Sequence, residues 1–201
     1  CVKRLWLYRH RRELASPPSV FQDGILEQGK EVGLLARSVF PFGELIGEDH
    51  TQPEKALAHT EQAIAKGATV LYEAAFQFSD ILIRADLMKK RPDGAWDLFE
   101  VKSSTNRDKI KREYLFDLAV QKFVLQKQTA VTLGEMFLVR LNRDYVREKE
   151  IELDNLFVED PMDEMIAAEL EAVPSYLSSL RAALDKSEPP EALIGSVCKS
   201  Q

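Results

Sequence analysis

The sequence predicts an α/β fold. A helix leads into a three-strand antiparallel meander, a second helix and a returning strand, and an added C-terminal helical segment follows. Three observations predict this order. Residues 69–102 hold three apolar runs rich in β-branched and aromatic residues, and Arg91-Pro92-Asp93-Gly94 between the last two has strong turn chemistry. Residues 107–128 have the length and apolar spacing of a helix, and a fourth strand-like run, Gly134 to Leu141, follows them. Residues 162–186 read as an acidic outer helix, broken near Pro174.

Taken in order, the chain opens with a basic segment over 1–20. Lys3, Arg4, Arg9, Arg11 and Arg12 are interleaved there with Trp6, Tyr8 and His10. Such a mixture can hold a phosphate backbone and stack bases, and it equally describes an amphipathic segment with a solvated basic face. Ser16-Pro17-Pro18-Ser19 is a break. The core spans 21–158. Its first helix is expected over 27–39, from Leu26, Val32, Leu35, Ala36 and Val39, and stops at Pro41 and Gly43. A second is expected over 54–66, stopped at Gly67. The strands follow at 69–76, 81–87 and 96–102, close enough in sequence to form a meander. A long helical connection separates the third strand from the fourth, which lets those two run parallel. The acidic helical segment, 159–201, completes the chain.

Composition narrows the function classes. The chain has 201 residues, 45% hydrophobic and 30% charged, enough for one medium domain with a real core. No apolar run approaches a membrane span, and no signal peptide is visible. Cys1 and Cys198 cannot make a disulfide framework, so a reducing cytoplasm is the expected compartment. The opening on Cys1 and the ending Val197-Cys198-Lys199-Ser200-Gln201 both read as cuts from a longer protein. The net charge of −6 argues against a generic nucleic-acid coat, but it is uneven. Residues 148–201 hold thirteen acidic and four basic residues, a net of −9, which leaves +3 on the rest.

Chemistry concentrates in the meander. Asp86 is expected to end the second strand, and Glu100 and Lys102 lie two apart on the third, facing one side. The connecting turn brings Asp86 and Glu100 within a few ångströms. Two carboxylates that close repel each other. A hard divalent cation, Mg²⁺ or Mn²⁺, relieves the repulsion and favours oxygen ligands. A water acidified there is a ready nucleophile, and Lys102 beside it positions it or stabilises developing phosphorane charge. As a bare pattern, Glu100-Val101-Lys102 also describes a cross-strand ion pair on an exposed face.

With Asp86 and Glu100-Val101-Lys102 in this order of elements, the chain resembles the PD-(D/E)XK nuclease superfamily. The resemblance is to its RecB-like exonucleases, including CRISPR-associated ones, and to a bacterial branch of that group with an iron–sulfur cluster. Further stretches carry it: Arg4-Leu5-Trp6-Leu7, Gly29-Lys30-Glu31-Val32-Gly33, Tyr72-Glu73-Ala74-Ala75-Phe76, Arg84-Ala85-Asp86, Ser103-Ser104-Thr105 and Leu141-Asn142-Arg143-Asp144-Tyr145-Val146-Arg147. It implies a restriction-endonuclease-like core and a Mg²⁺- or Mn²⁺-dependent deoxyribonuclease acting on DNA ends or single strands. It also implies Asp86, Glu100 and the Val101 carbonyl as metal ligands and Lys102 as the catalytic lysine. The helix after the core would turn Gln121 toward DNA or the active site. Tyr114, Asp117 and Gln121 share one face of it, which as a bare pattern is also an ordinary polar stripe.

Three departures qualify the likeness. The Tyr expected four residues after that Gln is Leu125. The His that often ends a Gly-x-x-Val-His run is Gly33, and Glu73 or Glu31 is the candidate to replace it as a metal ligand. Relatives of this kind hold their cluster with four cysteines, of which Cys1 and Cys198 are the two present. The competing expectation is a nuclease-fold module without catalysis that binds nucleic acid or protein. The expected DNA contacts are Gln121, Tyr114, Lys3, Arg4 and Arg9. His10, His50 and His59 fall in no ligand-like spacing.

Overall fold

A computed structural model of the chain describes residues 2–17, 19–105 and 110–191. It is a mixed α/β structure built on one six-stranded sheet. Helix α1 (Val2–His10) and a short 3₁₀ turn (Arg12–Leu14) come first. Helix α2 (Val20–Val39) follows, then strand β1 (Glu44–Leu45) and helix α3 (Pro53–Ala65). Strands β2 (Val70–Phe78), β3 (Ile81–Lys90) and β4 (Trp96–Lys102) form the meander. Helix α4 (Arg112–Leu125) crosses over to β5 (Leu133–Leu141). A short helix α5 (Leu153–Leu156), strand β6 (Phe157–Pro161) and helix α6 (Ala167–Leu184) complete the described chain.

The strands lie in sequence order across the sheet. β2–β3 and β3–β4 are antiparallel, as the turn chemistry predicts, and β4–β5 is parallel, as its helical crossover requires. Two short strands cap the edges: β1 runs parallel to β2, and β6 antiparallel to β5. Short edge strands offer little ladder for another chain to extend.

Alternation along β4 splits the interior in two. Trp96 and Leu98 enter the larger core, which α3, α4 and α6 cover through Ala63, Leu118, Val124 and Val173. Phe99 and Val101 enter a smaller core on the opposite face, closed by Val39 and Phe40 at the end of α2. Phe99 stacks between Phe40 and Phe137 there, with centroids 4.8 and 5.0 Å away. The turn after α2 is fixed by Tyr72, whose hydroxyl donates to the Phe40 carbonyl and accepts from the Gly43 N–H. A side chain at 43 would overlap the Tyr72 ring, so glycine is required there.

Several expectations need correction. α2 begins at residue 20, not 27, because Ser19 and Gln22 form a capping box. Its first half is exposed, so no core-facing pattern announces it. Residues 2–10 are helical, and buried Trp6 ties them to α6 by donating to the Lys186 carbonyl at 2.9 Å. α6 runs unbroken through Pro174, which lies on its exposed side while neighbouring Val173 is fully buried. Met162, Ile166 and Val173 belong to the same core as the sheet, so the acidic segment packs inward on one face. No described helix is long and apolar enough to cross a membrane.

Candidate active site

Asp86 does not end its strand. β3 continues to Lys90 and stays paired with β2 on both sides of Asp86, whereas its ladder with β4 stops at Leu87↔Phe99. One residue further along that register, Asp86 stands opposite Glu100. At this parting the Asp86 carboxylate accepts the Val101 N–H at 2.8 Å, a side chain replacing a ladder bond. Tyr72↔Leu87 and Ala74↔Ala85 bracket Glu73 and Asp86, which therefore also face each other. Glu73, Asp86 and Glu100 form one line across three adjacent strands. Asp86 and Glu100 share the sheet face that α4 covers.

Glu73 is the irregular member. Its φ is 58°, left-handed in mid-strand, where a non-glycine residue is strained by about 1–3 kcal/mol. Alternation breaks there: Ala74 and Ala75, although adjacent, both enter the larger core. The carboxylate is held by Arg37 of α2 at 2.6 Å, with Arg84 at 4.0 Å. Arg84 is itself anchored, donating to the Ile46 and Glu48 carbonyls at 2.6 and 2.8 Å. An added Cβ at Gly33 would meet nothing within 4 Å. One helical turn later, Arg37 is the side chain that reaches the line, and Glu31 is exposed.

Glu100 is buried, and both its oxygens are engaged. Lys102 donates to Oε1, and Gln121 donates to Oε2 at 2.7 Å. Lys102 also donates to Asp117 at 3.1 Å, and its ammonium lies 5.3 Å from the Tyr114 ring centroid. Helix α4 thus brings Tyr114, Asp117 and Gln121 onto the strand residues. The Gln121 side chain is 4% exposed overall, and its Oε1 is buried with no hydrogen-bond partner. Leu125 is buried in the core and has only a packing role.

Burial dominates the titration of this cluster. It pushes Asp86 up to about 6, against the Val101 N–H and Lys102, with Glu73 and Asp117 adding repulsion. It pushes Glu100 up to about 8, with the Asp86 charge as the next cause. Burial disfavours the Lys102 ammonium, but Glu100 and Asp117 overcome that and hold it above the ordinary lysine range. The centre is therefore an over-crowded, largely desolvated group of acids around one ammonium.

Among the described residues, no three His, Cys, Asp or Glu side chains gather as a ready metal cage. What is present is a pair of repelling carboxylates at a strand parting and an unpartnered amide oxygen. This all-oxygen set fits a hard cation that keeps most of its waters.

The other predicted site residues lie elsewhere. Lys3, Arg4 and Arg9 are carried on α1, which packs on α6 rather than among the strand acids. Cys1 and Cys198 fall outside the described residues. His59 is bracketed by Glu44 and Glu48 at 3.0–3.1 Å, and Glu48 holds it protonated above the ordinary histidine range. Two participants were not singled out from sequence: Arg37, and Asp117 as partner of Lys102. Their signal was helical spacing, since Arg37 stands four after Gly33 and Asp117 four before Gln121.

No family model and no curated protein matches the chain. One solved structure, described as "Crystal structure of SSO0001", is 14% identical over 87% of this chain and 84% of that one. Its TM-score of 0.27 is too low to carry an argument about fold or chemistry.

Proposed function

We propose that the chain is a Mg²⁺- or Mn²⁺-dependent nuclease of the PD-(D/E)XK, RecB-like kind, hydrolysing phosphodiester bonds of DNA at ends or in single strands. The observation that supports this reading is the line Glu73–Asp86–Glu100 at the parting of β3 and β4, with Lys102 two residues beyond. Asp86, Glu100 and the Val101 carbonyl would hold the ion, with Glu73 as a further candidate. A divalent ion supplies positive charge for the phosphate and acidifies a water.

The chain's own residues do the rest. Lys102, kept charged by its carboxylate partners, meets negative charge developing on the phosphoryl oxygens. Gln121 fixes the orientation of Glu100 through its Nε2, while its own Oε1 is buried without a partner. Arg37 offsets the Glu73 charge. The reading extends to an iron–sulfur cluster in a longer protein, with Cys1 and Cys198 as two of its thiolates.

The deciding test is cleavage of end-labelled single-stranded DNA with Mg²⁺ or Mn²⁺ by the wild type, Asp86→Ala and Lys102→Ala. Cleavage by the wild type alone is expected. Equal cleavage by all three rejects the site. DNA binding with no cleavage and no dependence on either metal would make the chain a binding module instead.

A further inference from the structure

A groove of about 840 Å³ lies between α4 and α6, beside the carboxylate centre. Tyr114, Phe116 and Val120 line it from α4, and Ala168, Ala172 and Tyr176 from α6. Ala168 and Ala172 are one turn apart and exposed, so small side chains hold the two helices' outer edges open. Phe116 and Tyr176 meet edge-to-face with centroids 4.6 Å apart, and Tyr176 is 39% exposed. Lys102 and its partner Asp117 belong to the lining, so the groove adjoins the ammonium that is bonded to Glu100.

We propose that this groove is a subsite for one unstacked nucleobase of single-stranded DNA, next to the phosphate held at the carboxylate centre. The proposal rests on the nuclease reading and narrows its substrate. A phosphate placed at Lys102 must send a neighbouring nucleoside somewhere, and the adjoining space is apolar and aromatic. Aromatic rings stack any base, and a groove of about 840 Å³ has ample room for a small planar group.

The charges fit a base better than a backbone. Lys102 and Arg112 are the cations of the lining, and Asp117 is already paired with Lys102. Glu113 and Glu169, also in the lining, make the groove a poor track for successive phosphates. A neutral base with its phosphate left at Lys102 satisfies both conditions. A duplex must unpair its end to supply such a base, so single strands are favoured.

The test uses the full chain carrying Asp86→Asn, which removes one proposed metal ligand and so blocks cleavage during binding. Single-stranded oligonucleotides carrying 2-aminopurine at the 5′ or the 3′ end are titrated, and stacking is read as fluorescence quenching. Quenching is expected for at least one end, with the same sequence as a blunt duplex binding about 10-fold more weakly. Adding Tyr176→Ala should abolish the quench and weaken binding about 10-fold, while Tyr176→Phe restores both. Ala172→Leu, a better-filled groove on an exposed helix position, should act like Tyr176→Ala without loss of folding. Quenching unchanged by both Tyr176→Ala and Ala172→Leu, or equal affinity for strand and duplex, overturns the subsite. Quenching as expected by a chain whose Asp86-containing form cuts no DNA would instead sink the nuclease reading alone.

Discussion

Removing one acid from the centre should stabilise the metal-free protein. Asp86→Asn keeps an oxygen to accept the Val101 N–H and removes the charge. Folded Asp86 is raised from its ordinary 3.8 to about 6, so the folded state binds its proton more tightly than the unfolded chain. The stability this contributes is complete below about pH 4 and is lost as pH rises through about 6. A separation of about two pH units corresponds to roughly 3 kcal/mol. That shift already includes the attraction to Lys102, so the net gain at pH 8 is about 3 kcal/mol. For a chain of this length that is a rise of about 6–12 °C in melting temperature. Thermal unfolding in EDTA at pH 5 and pH 8 measures it, with a gain about half as large expected at pH 5. Saturating Mn²⁺ should reverse the order, since only the intact pair is stabilised by ion binding. A variant that is less stable than the wild type at pH 8, or equally shifted at both pH values, would refute the idea of desolvated, mutually repelling acids.

Three other outcomes follow from the same geometry. Glu100, pushed up to about 8, still holds most of its proton at pH 7. Calorimetric titration with Mn²⁺ in buffers of different ionisation heats should therefore show about one proton released per ion at pH 7 and none well above pH 8. Lys102→Met should lower cleavage at least about 100-fold while Mn²⁺ affinity, read by electron paramagnetic resonance, is kept or rises, because a cation has left the neighbourhood. Trp6→Ala should cost about 3–5 kcal/mol by emptying a buried site between α1 and α6, and should expose residues 2–10 to proteolysis; a loss under about 1 kcal/mol would show that α1 is held by something else.

How far the sequence could be read depended on what each residue faces. β3, β4 and β5 are legible because alternating apolar residues feed two distinct cores and Arg91–Gly94 forces the reversal. α1 is not, because Trp6 alone is buried and a single apolar anchor makes no periodicity. The start of α2 was written only in a capping box, since residues 20–31 face solvent. β1 and β6 are two and five residues long, and their pairing rests on tertiary neighbours rather than pattern. At the site, Asp86, Glu100 and Lys102 could be placed from spacing, and Gln121 only from the resemblance. The side on which Glu73 emerges could not, because its left-handed backbone breaks the alternation on which such an inference rests.

The molecule offers its own comparison for judging the strand acids. Arg140 is as buried as Glu100, but Asp160 takes its Nε and Nη2 at 2.5 and 3.1 Å across β5–β6. His59 has a carboxylate at each ring nitrogen. Both are charged clusters with local partners, and neither disturbs its backbone. Around Asp86 and Glu100 several local rules fail together: a parted ladder, a left-handed strand residue, acids driven toward neutrality and a buried amide oxygen without a donor. Each carries a folding cost, and folding alone gives no reason for them to coincide. On the proposed nuclease reading, a bound cation would remove the repulsion, and its waters would be donors for an orphaned oxygen nearby. That shared remedy separates this cluster from the other ion pairs of the fold, and it is why chemistry is assigned to the acids at the β3–β4 parting rather than to Glu169 and Glu171, the two acids of α6.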